Sequence, residues 1–532
     1  MRTSKTTGIK LLIQLLITIG IIFLGIVVVW ASPDTDIEVT SALDVYVNDD
    51  TCPQVGSGTW LDPYCDLQHA INNTLEGGEV LIAEGTYTNT QTITASDSYT
   101  YTQVAFIDKS LTLSGGYKDG NWDIPENRNA YPSIIDANRS GRGVTILGDG
   151  NQAVTVIGLT ITGGDYSGLG NPDGVSGQGC SGTGQDCGGG LLAKSVIVKL
   201  EDSIITDNFA STPSANKNGQ GGGVYLWDVL DGSMITGSSI ISNTVSGGNG
   251  YGGGLSIQNG RTVVISDTVF IGNTSTDAGG GAYIFQPDQP ISIFTSYFNN
   301  NQAVNTGGGL RAHLTYGGDA LVMDRVRFSN NQANVNGTSM YLVQQGNDRS
   351  VTANLSNLIF DNSYSNNDNA LANVLYVGNT DILDVNLQFV TAADNKAESF
   401  LLAWGDNGDG DGLTVDLANT LLKSFNGAFT AYQAGAGTVR VQYTKTLLED
   451  VSTQQVAIGG SPVFVDTETI TGTAKLNNTY HLRAGSDAID QGFDSGVKHD
   501  FDNDKRDANP DIGADEYNSP RIYIPLILKA GG

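Results

Sequence analysis

The chain has 532 residues, 69 of them glycine, and 56 acidic against 27 basic side chains give it a formal net charge of −29. That balance argues against DNA, RNA or anionic lipid as partners, because phosphate recognition needs clustered Lys and Arg. It suits an exterior protein, or one that collects divalent cations.

Arg2, Lys5 and Lys10 precede an apolar run from Leu11 to Trp30, with Val29 and Ala31 at the small-residue positions of a cleavage site. This is the layout of a secretory signal over residues 1–31. The run is also long enough to span a bilayer, so a retained anchor is the alternative, and an uncleaved anchor is the chain's one route to a membrane. Residues 32–78 read as an N-terminal extension and cap. Leu43 to Val47 alternates like a strand; Asp66 is placed to cap a short helix with Leu67, Ala70 and Ile71 on one face; Gly77-Gly78 ends it. The four cysteines form two local pairs, Cys52 with Cys65 and Cys180 with Cys187. Neither pair has CxxC spacing or a clustered histidine, so both read as disulfide staples of an exported protein rather than metal ligands.

The repeat occupies residues 79–465. Gly188-Gly189-Gly190, Gly221-Gly222-Gly223, Gly252-Gly253-Gly254, Gly279-Gly280-Gly281 and Gly307-Gly308-Gly309 recur at intervals of 33, 31, 27 and 28 residues, each followed by an apolar residue. A second signature accompanies them, an apolar residue with Asn three positions on: Ile205/Asn208, Ile240/Asn243, Phe270/Asn273, Phe298/Asn301 and Phe328/Asn331. A period near 30 made of short strands and turns, with no helical stretch, predicts an all-β solenoid. The asparagines are expected to stack from coil to coil through their amides, and the glycines to sit at positive φ or at close approaches. The slot persists as the glycines decay, at Gly337 to Tyr341 and Asn373 to Tyr376.

The opening strand, helix and Val80–Tyr87 stretch, followed by Leu111–Tyr117 and Ser133–Asp136, resembles the start of secreted right-handed parallel β-helix proteins of the pectin-lyase-like superfamily. The paired Phe-x-x-Asn and Gly-Gly-Ala motifs, closest at Phe270–Asn273 with Gly280-Gly281-Ala282, resemble the repeats of the chlamydial polymorphic membrane proteins. That resemblance implies surface adhesion, without the outer-membrane barrel, since nothing after residue 470 alternates in ten-residue segments. Tyr480–Gly492, Asp500–Arg506 and Asp511–Tyr517 resemble in order the three blocks of the choice-of-anchor Q domain. This implies a surface module over residues 466–517, followed by a tail at 518–532.

Alternation within the strand after each glycine block sends Val224/Leu226, Leu255/Ile257, Ala282/Ile284, Leu310/Ala312 and Met340/Leu342 inward. Their neighbours face outward: Tyr225/Trp227, Ser256/Gln258, Tyr283/Phe285, Arg311/His313, Tyr341/Val343 and Tyr376. An exposed aromatic column of this kind would bind sugar rings; the plainer reading is mutual stacking, or cover by a loop. Arg311, His313, Arg325 and Arg327 form the one dense basic cluster. They suggest a lyase in which an arginine neutralises a uronate and His313 removes the C5 proton, although neither paired aspartates nor calcium carboxylates stand beside them. Asn407, Asp409 and Asp411, with Gly412 at position six, resemble the first half of a calcium loop. Ala418 stands where the bidentate carboxylate belongs, so an EF-hand is excluded. Asp500, Asp502 and Asp504 alternate similarly, and both groups read either as Ca²⁺ ligands or as solvated turns. The expected protein is a secreted or cell-surface β-helix of structural or adhesin-like type, binding glycans through its aromatic face. The alternative is a polysaccharide lyase or glycoside hydrolase acting on acidic polysaccharide.

Overall fold

The computed structural model describes residues 44–122, 128–215, 217–345, 349–365, 373–407, 412–435 and 437–517. The leader or anchor at 1–31, the tail at 518–532, and Asp409 and Asp411 lie outside the described residues. Among the described residues no helix is long and apolar enough to cross a membrane.

Strands from Val45 to Thr471 pair with the corresponding strand of the next coil, all in parallel except the hairpin of Gln91–Thr94 with Thr100–Ile107. The fold is thus the all-β parallel β-helix expected from the repeat. Each coil of its middle lays down three strands. The glycine-led face stacks Leu191–Lys194, Val224–Trp227, Leu255–Gln258, Ala282–Phe285, Leu310–Leu314 and Met340–Gln344 in unbroken register. The middle face stacks Ile197–Glu201, Ser233–Thr236, Val263–Ser266 and Ile291–Phe294. The asparagine face stacks Ile204–Thr206, Ser239–Ile241, Val269–Ile271 and Tyr297–Asn299. Inward side chains of the three faces form one continuous apolar core, including Phe270, Phe298, Phe328 and Phe360, whose rings stack at 4.5, 4.9 and 5.3 Å.

The glycine blocks and the asparagines are two halves of one corner. The first glycine of each block has positive φ, from 61° at Gly221 to 66° at Gly307. The third lies against the amide of the next ladder asparagine: a Cβ would come within 2.8 Å of Asn243 at Gly223 and 2.9 Å of Asn273 at Gly254. The amides form a buried ladder, Asn208 Nδ2 donating to Asn243 Oδ1 at 3.0 Å, Asn243 to Asn273 at 3.1 Å, Asn273 to Asn301 at 3.0 Å and Asn301 to Asn331 at 3.1 Å. Each oxygen also accepts the preceding asparagine's backbone N–H, as Asn273 Oδ1 does from Asn243 at 3.0 Å. Where Ser339 replaces the third glycine, the ladder residue becomes Ser363, and the two hydroxyls bond at 2.8 Å. A side chain at one position therefore accompanies a smaller partner at the other.

The N-terminal helix is Leu67–Asn73, capped by Asp66 Oδ1, which accepts the His69 N–H at 2.7 Å. It buries Leu67, Ala70 and Ile71 as expected, and also Gln68. Gln68 bonds both backbone groups of Phe106, at 2.6 and 2.9 Å, so the helix satisfies backbone polar groups at the solenoid's end.

Beyond Val463–Thr471 the chain makes no further strand up to residue 517, and residues 472–517 fold back along the flank. They dock on the corner between the middle and asparagine faces, where successive coils turn through single residues at positive φ: Arg325, Asn357, Phe389 and Asn419. Asn357 donates to the His499 carbonyl and accepts from Arg506, both at 2.9 Å. Asn419 both donates to and accepts from the Phe493 backbone, at 2.9 and 3.0 Å. The buried Arg506 guanidinium lies 3.6 Å over the Phe389 ring and pairs with Glu516 at 3.1 Å. We refer to residues 472–517 as the clasp.

Candidate functional site

The outward residues of the glycine-led face do form two columns. Tyr225, Ser256, Tyr283, Arg311, Tyr341 and Tyr376 align in the first; Trp227, Gln258, Phe285, His313 and Val343 align in the second. Their expected exposure is not found. Tyr225 is 0% exposed, Tyr283 5% and Tyr376 7%.

Two causes account for this. Over the early coils, residues between the asparagine corner and the glycine block form a second layer, a three-stranded sheet of Gln185–Cys187, Asn218–Gln220 and Gly250–Tyr251. The Cys180–Cys187 disulfide closes the loop leading into it, and Tyr225 packs beneath with Tyr101, Phe106 and both cysteines. The Tyr225 hydroxyl bonds Gln258 at 3.0 Å and Ser181 at 3.2 Å. Tyr225 is therefore core, and Trp227 is half-buried under Lys194, whose ammonium lies 4.7 Å over the indole. Along the later coils, the rings cover one another. Tyr341 and Tyr376 stack at 4.2 Å and 3°, and Tyr283 stacks on Tyr251 at 5.0 Å and 28°. The second disulfide, Cys52–Cys65, forms at the N-terminal cap.

What remains accessible is a shallow strip of half-buried side chains, Tyr251, Phe285, Arg311 and Tyr341. The Arg311 guanidinium lies 5.7 Å from the Tyr283 ring centre and 5.1 Å from that of Tyr341. Its Nη1 donates to Thr306 Oγ1 at 3.3 Å, and among the described residues it makes no ion pair. Burial, reinforced by Asp277, pushes the Tyr251 hydroxyl up to about 12. Tyr283 and Tyr341 are raised too, by burial first. All three stay protonated at neutral pH. His313 is buried beside Phe285, ring centres 4.9 Å apart, and its Nε2 has no partner among the described residues. Burial, and then the Arg311 charge, lower its pKa to about 4, so it is a neutral imidazole.

Arg325 and Arg327 are not part of this strip. Arg325 is a corner residue, φ 57°, held by Asp324 at 3.0 Å and by Asn503 of the clasp at 2.7 Å. Arg327 pairs with the buried Asp361 at 2.7 Å, its charge 5.5 Å from both the Tyr297 and Tyr480 rings. With Tyr297 and Phe501 they line a pocket of about 280 Å³ on the asparagine side of the coil. The four-residue basic cluster is thus divided between two faces, because one coil carries its strands to opposite sides of the core.

Strand register extends the second column to Trp404 and Tyr432, stacked at 3.9 Å, through Gly378. Sequence reasoning missed this pair because the glycine block that marks the register has gone by then. It missed Tyr251 because a two-residue strand leaves no alternation to read. Asn407 ends the strand Ser399–Asn407, with its loop partners outside the described residues. Asp500, Asp502 and Asp504 do not form the expected oxygen loop. Asp500 is fully buried, and its oxygens accept the Asp504 N–H at 2.7 Å and the Glu516 N–H at 2.9 Å. Asp502 turns instead to His481, 3.1 Å away.

No family model matches the chain, and no curated protein matches it. Solved structures do. A pectate lyase, Pel9A, aligns at 12% identity over 90% of this chain and 97% of its own, with a TM-score of 0.33. The catalytic domain of a GH87 α-1,3-glucanase, in complex with tetrasaccharides, aligns at 10% over 82% and 70%, TM-score 0.39. A family 28 exopolygalacturonase of Yersinia enterocolitica aligns at 10% over 76% and 74%, TM-score 0.36. At such identities a likeness speaks to fold alone, and this chain's own strand register already establishes that fold as a parallel β-helix.

Proposed function

We propose that the chain engages polysaccharide, holding an extended acidic glycan across the strip from Tyr251 to Tyr341. The observation that carries this reading is Arg311, a guanidinium between two tyrosine rings with no carboxylate paired to it among the described residues, in a chain of net charge −29. A uronate or sulfate would meet it as a bidentate partner, and the protonated tyrosines and polar neighbours would bind hydroxyls. Coil spacing puts Tyr283 and Tyr341 about 10 Å apart, close to the repeat of an extended disaccharide.

Binding is the first reading because His313 Nε2 is closed from solvent as the side chain stands. Cleavage by β-elimination is the second. In it Arg311 neutralises the uronate, His313 takes the C5 proton and a tyrosine returns a proton to the leaving oxygen. Its support is the neutral state of His313, and it requires that ring to swing outward. The activities named for the three solved structures would all be polysaccharide chemistry if carried to this chain. An extracellular setting accords with two disulfides. Surface attachment through residues 466–517 and an adhesin-like role, both drawn from motif resemblance, belong to the same proposal.

Retention of the purified chain on acidic and neutral polysaccharides tests it, with unsaturated-uronate absorbance and reducing ends followed in parallel. Retention on acidic polymers should weaken by about tenfold or more in Arg311→Ala, the loss of one charge-assisted contact. Equal retention in that variant removes the strip as the site. Product that disappears in both Arg311→Ala and His313→Gln makes the second reading the correct one.

A further inference from the structure

Three segments of the clasp meet at His481. Asn477 Oδ1 accepts the backbone N–H groups of Thr479, at 2.8 Å, and of His481, at 3.0 Å. Those two donors fix which end of the amide is oxygen, so the Thr479 hydroxyl, 2.8 Å away, donates its proton to it as well. Thr479 Oγ1 therefore meets His481 Nδ1, at 2.8 Å, as an acceptor, and Nδ1 carries the imidazole proton. In the neutral ring the other nitrogen, Nε2, then carries the lone pair. It is shielded from solvent, has no hydrogen-bond partner among the described residues and stands 3.1 Å from Asp502 Oδ2. Asp515 approaches from the third segment, buried, with one oxygen accepting the Leu482 N–H at 2.7 Å. One ligand atom from each of His481, Asp502 and Asp515 lies within 4.8 Å of the other two. A lone pair facing two carboxylates is repulsive, and a cation among them turns all three contacts favourable.

We propose that His481, Asp502 and Asp515 bind one divalent ion of the zinc class, tying together the three segments of the clasp. An imidazole ligand favours Zn²⁺ and its transition-metal neighbours over Ca²⁺ and Mg²⁺, which prefer all-oxygen cages. The Asn477–Thr479 relay is the kind of outer support that orients a ligating histidine. Three protein ligands leave one position for water, on the side where Asp502 is exposed. The ion differs from the calcium expected at Asp500, Asp502 and Asp504, since Asp500 is engaged with backbone N–H groups. The ligands are 21 and 13 residues apart, with no local motif, so only the folded clasp assembles them.

The test uses the whole chain, stripped with chelator and titrated with Zn²⁺, Co²⁺ and Ca²⁺. The expected result is one equivalent of Zn²⁺, a raised thermal midpoint and a visible Co²⁺ band. His481→Gln and Asp502→Asn should each weaken Zn²⁺ by about a hundredfold and abolish the band, while Asp504→Asn leaves both unchanged. Asp502 is exposed, so Asp502→Asn keeps the fold, as an unchanged circular dichroism spectrum would verify. No Zn²⁺ bound, equal binding in both ligand variants, or a preference for Ca²⁺ would each overturn the proposal. In those cases His481 and Asp502 form an ion pair only. Polysaccharide retention is read separately, so failure here leaves the Arg311 strip untouched.

Discussion

Two stretches of the same solenoid treat their outward side chains in opposite ways. Between residues 188 and 260 the corner is fully glycine and asparagine, and the glycine-led face lies under a second sheet, with Tyr225 sealed beneath it. Between residues 307 and 405 the corner shifts to Ser339 and Ser363. The glycine-led face is left as a shallow strip around Arg311, and cover moves to the other side of the coil, where the clasp docks. The register is identical in both stretches, so it decides only which way a residue points. What lies above it is decided by chain that the repeat does not include.

The sharpest way to break this comparison is at the ladder. Asn273→Ala removes an oxygen that accepts two donors from Asn243 and an Nδ2 bonded to Ile240 and Asn301. Leaving those buried groups unpaired should cost about 3–5 kcal/mol, read as a fall in the urea midpoint. Gly254→Ala should also destabilise. If the corner works by size matching, as Ser339 and Ser363 indicate, the double variant Gly254→Ala/Asn273→Ser should lose less than the sum of its single changes. Strict additivity would break the idea.

The cover itself is tested by Cys180→Ser/Cys187→Ser. Opening so short a loop should cost about 2–3 kcal/mol, and proteolysis should appear between residues 163 and 190 before the core coils yield. Simultaneous loss of both would mean the second layer is part of the cooperative core.

The smallest effect belongs to His313, on the strip. Its folded pKa of about 4 lies below the ordinary 6.5, so the unfolded chain takes the proton first as pH falls. Its contribution is full above pH 6.5 and lost as pH drops through 4. Asp511, pushed up to about 6 by burial, has the opposite slope: its contribution is full below its ordinary 3.8 and lost as pH rises through 6. Subtracting the stability curve of His313→Gln from that of the unaltered chain isolates the histidine. A flat difference between pH 4 and 6.5 would mean that the imidazole is hydrated and the strip more open than it stands here.

Much of the fold was legible in residue order because a solenoid's contacts are between neighbours about thirty residues apart, and a periodic sequence states that distance repeatedly. The glycine blocks, the asparagine ladder, the helix cap at Asp66, both disulfides and the two outward columns all follow from local pattern and period. Burial of Tyr225, separation of Arg325 and Arg327 from Arg311, and the meeting of His481, Asp502 and Asp515 do not. The arginines part because one coil carries its strands to opposite sides of the core. The other two depend on a segment without a period, the inserted sheet or the clasp, the latter positioned by polar groups such as Asn357, Asn419 and Arg506 finding partners far along the chain. The sequence alone determined which way each repeated side chain faces, because backbone geometry fixes that. Only the tertiary structure decided which of those side chains meets water, because that depends on chain arriving from elsewhere.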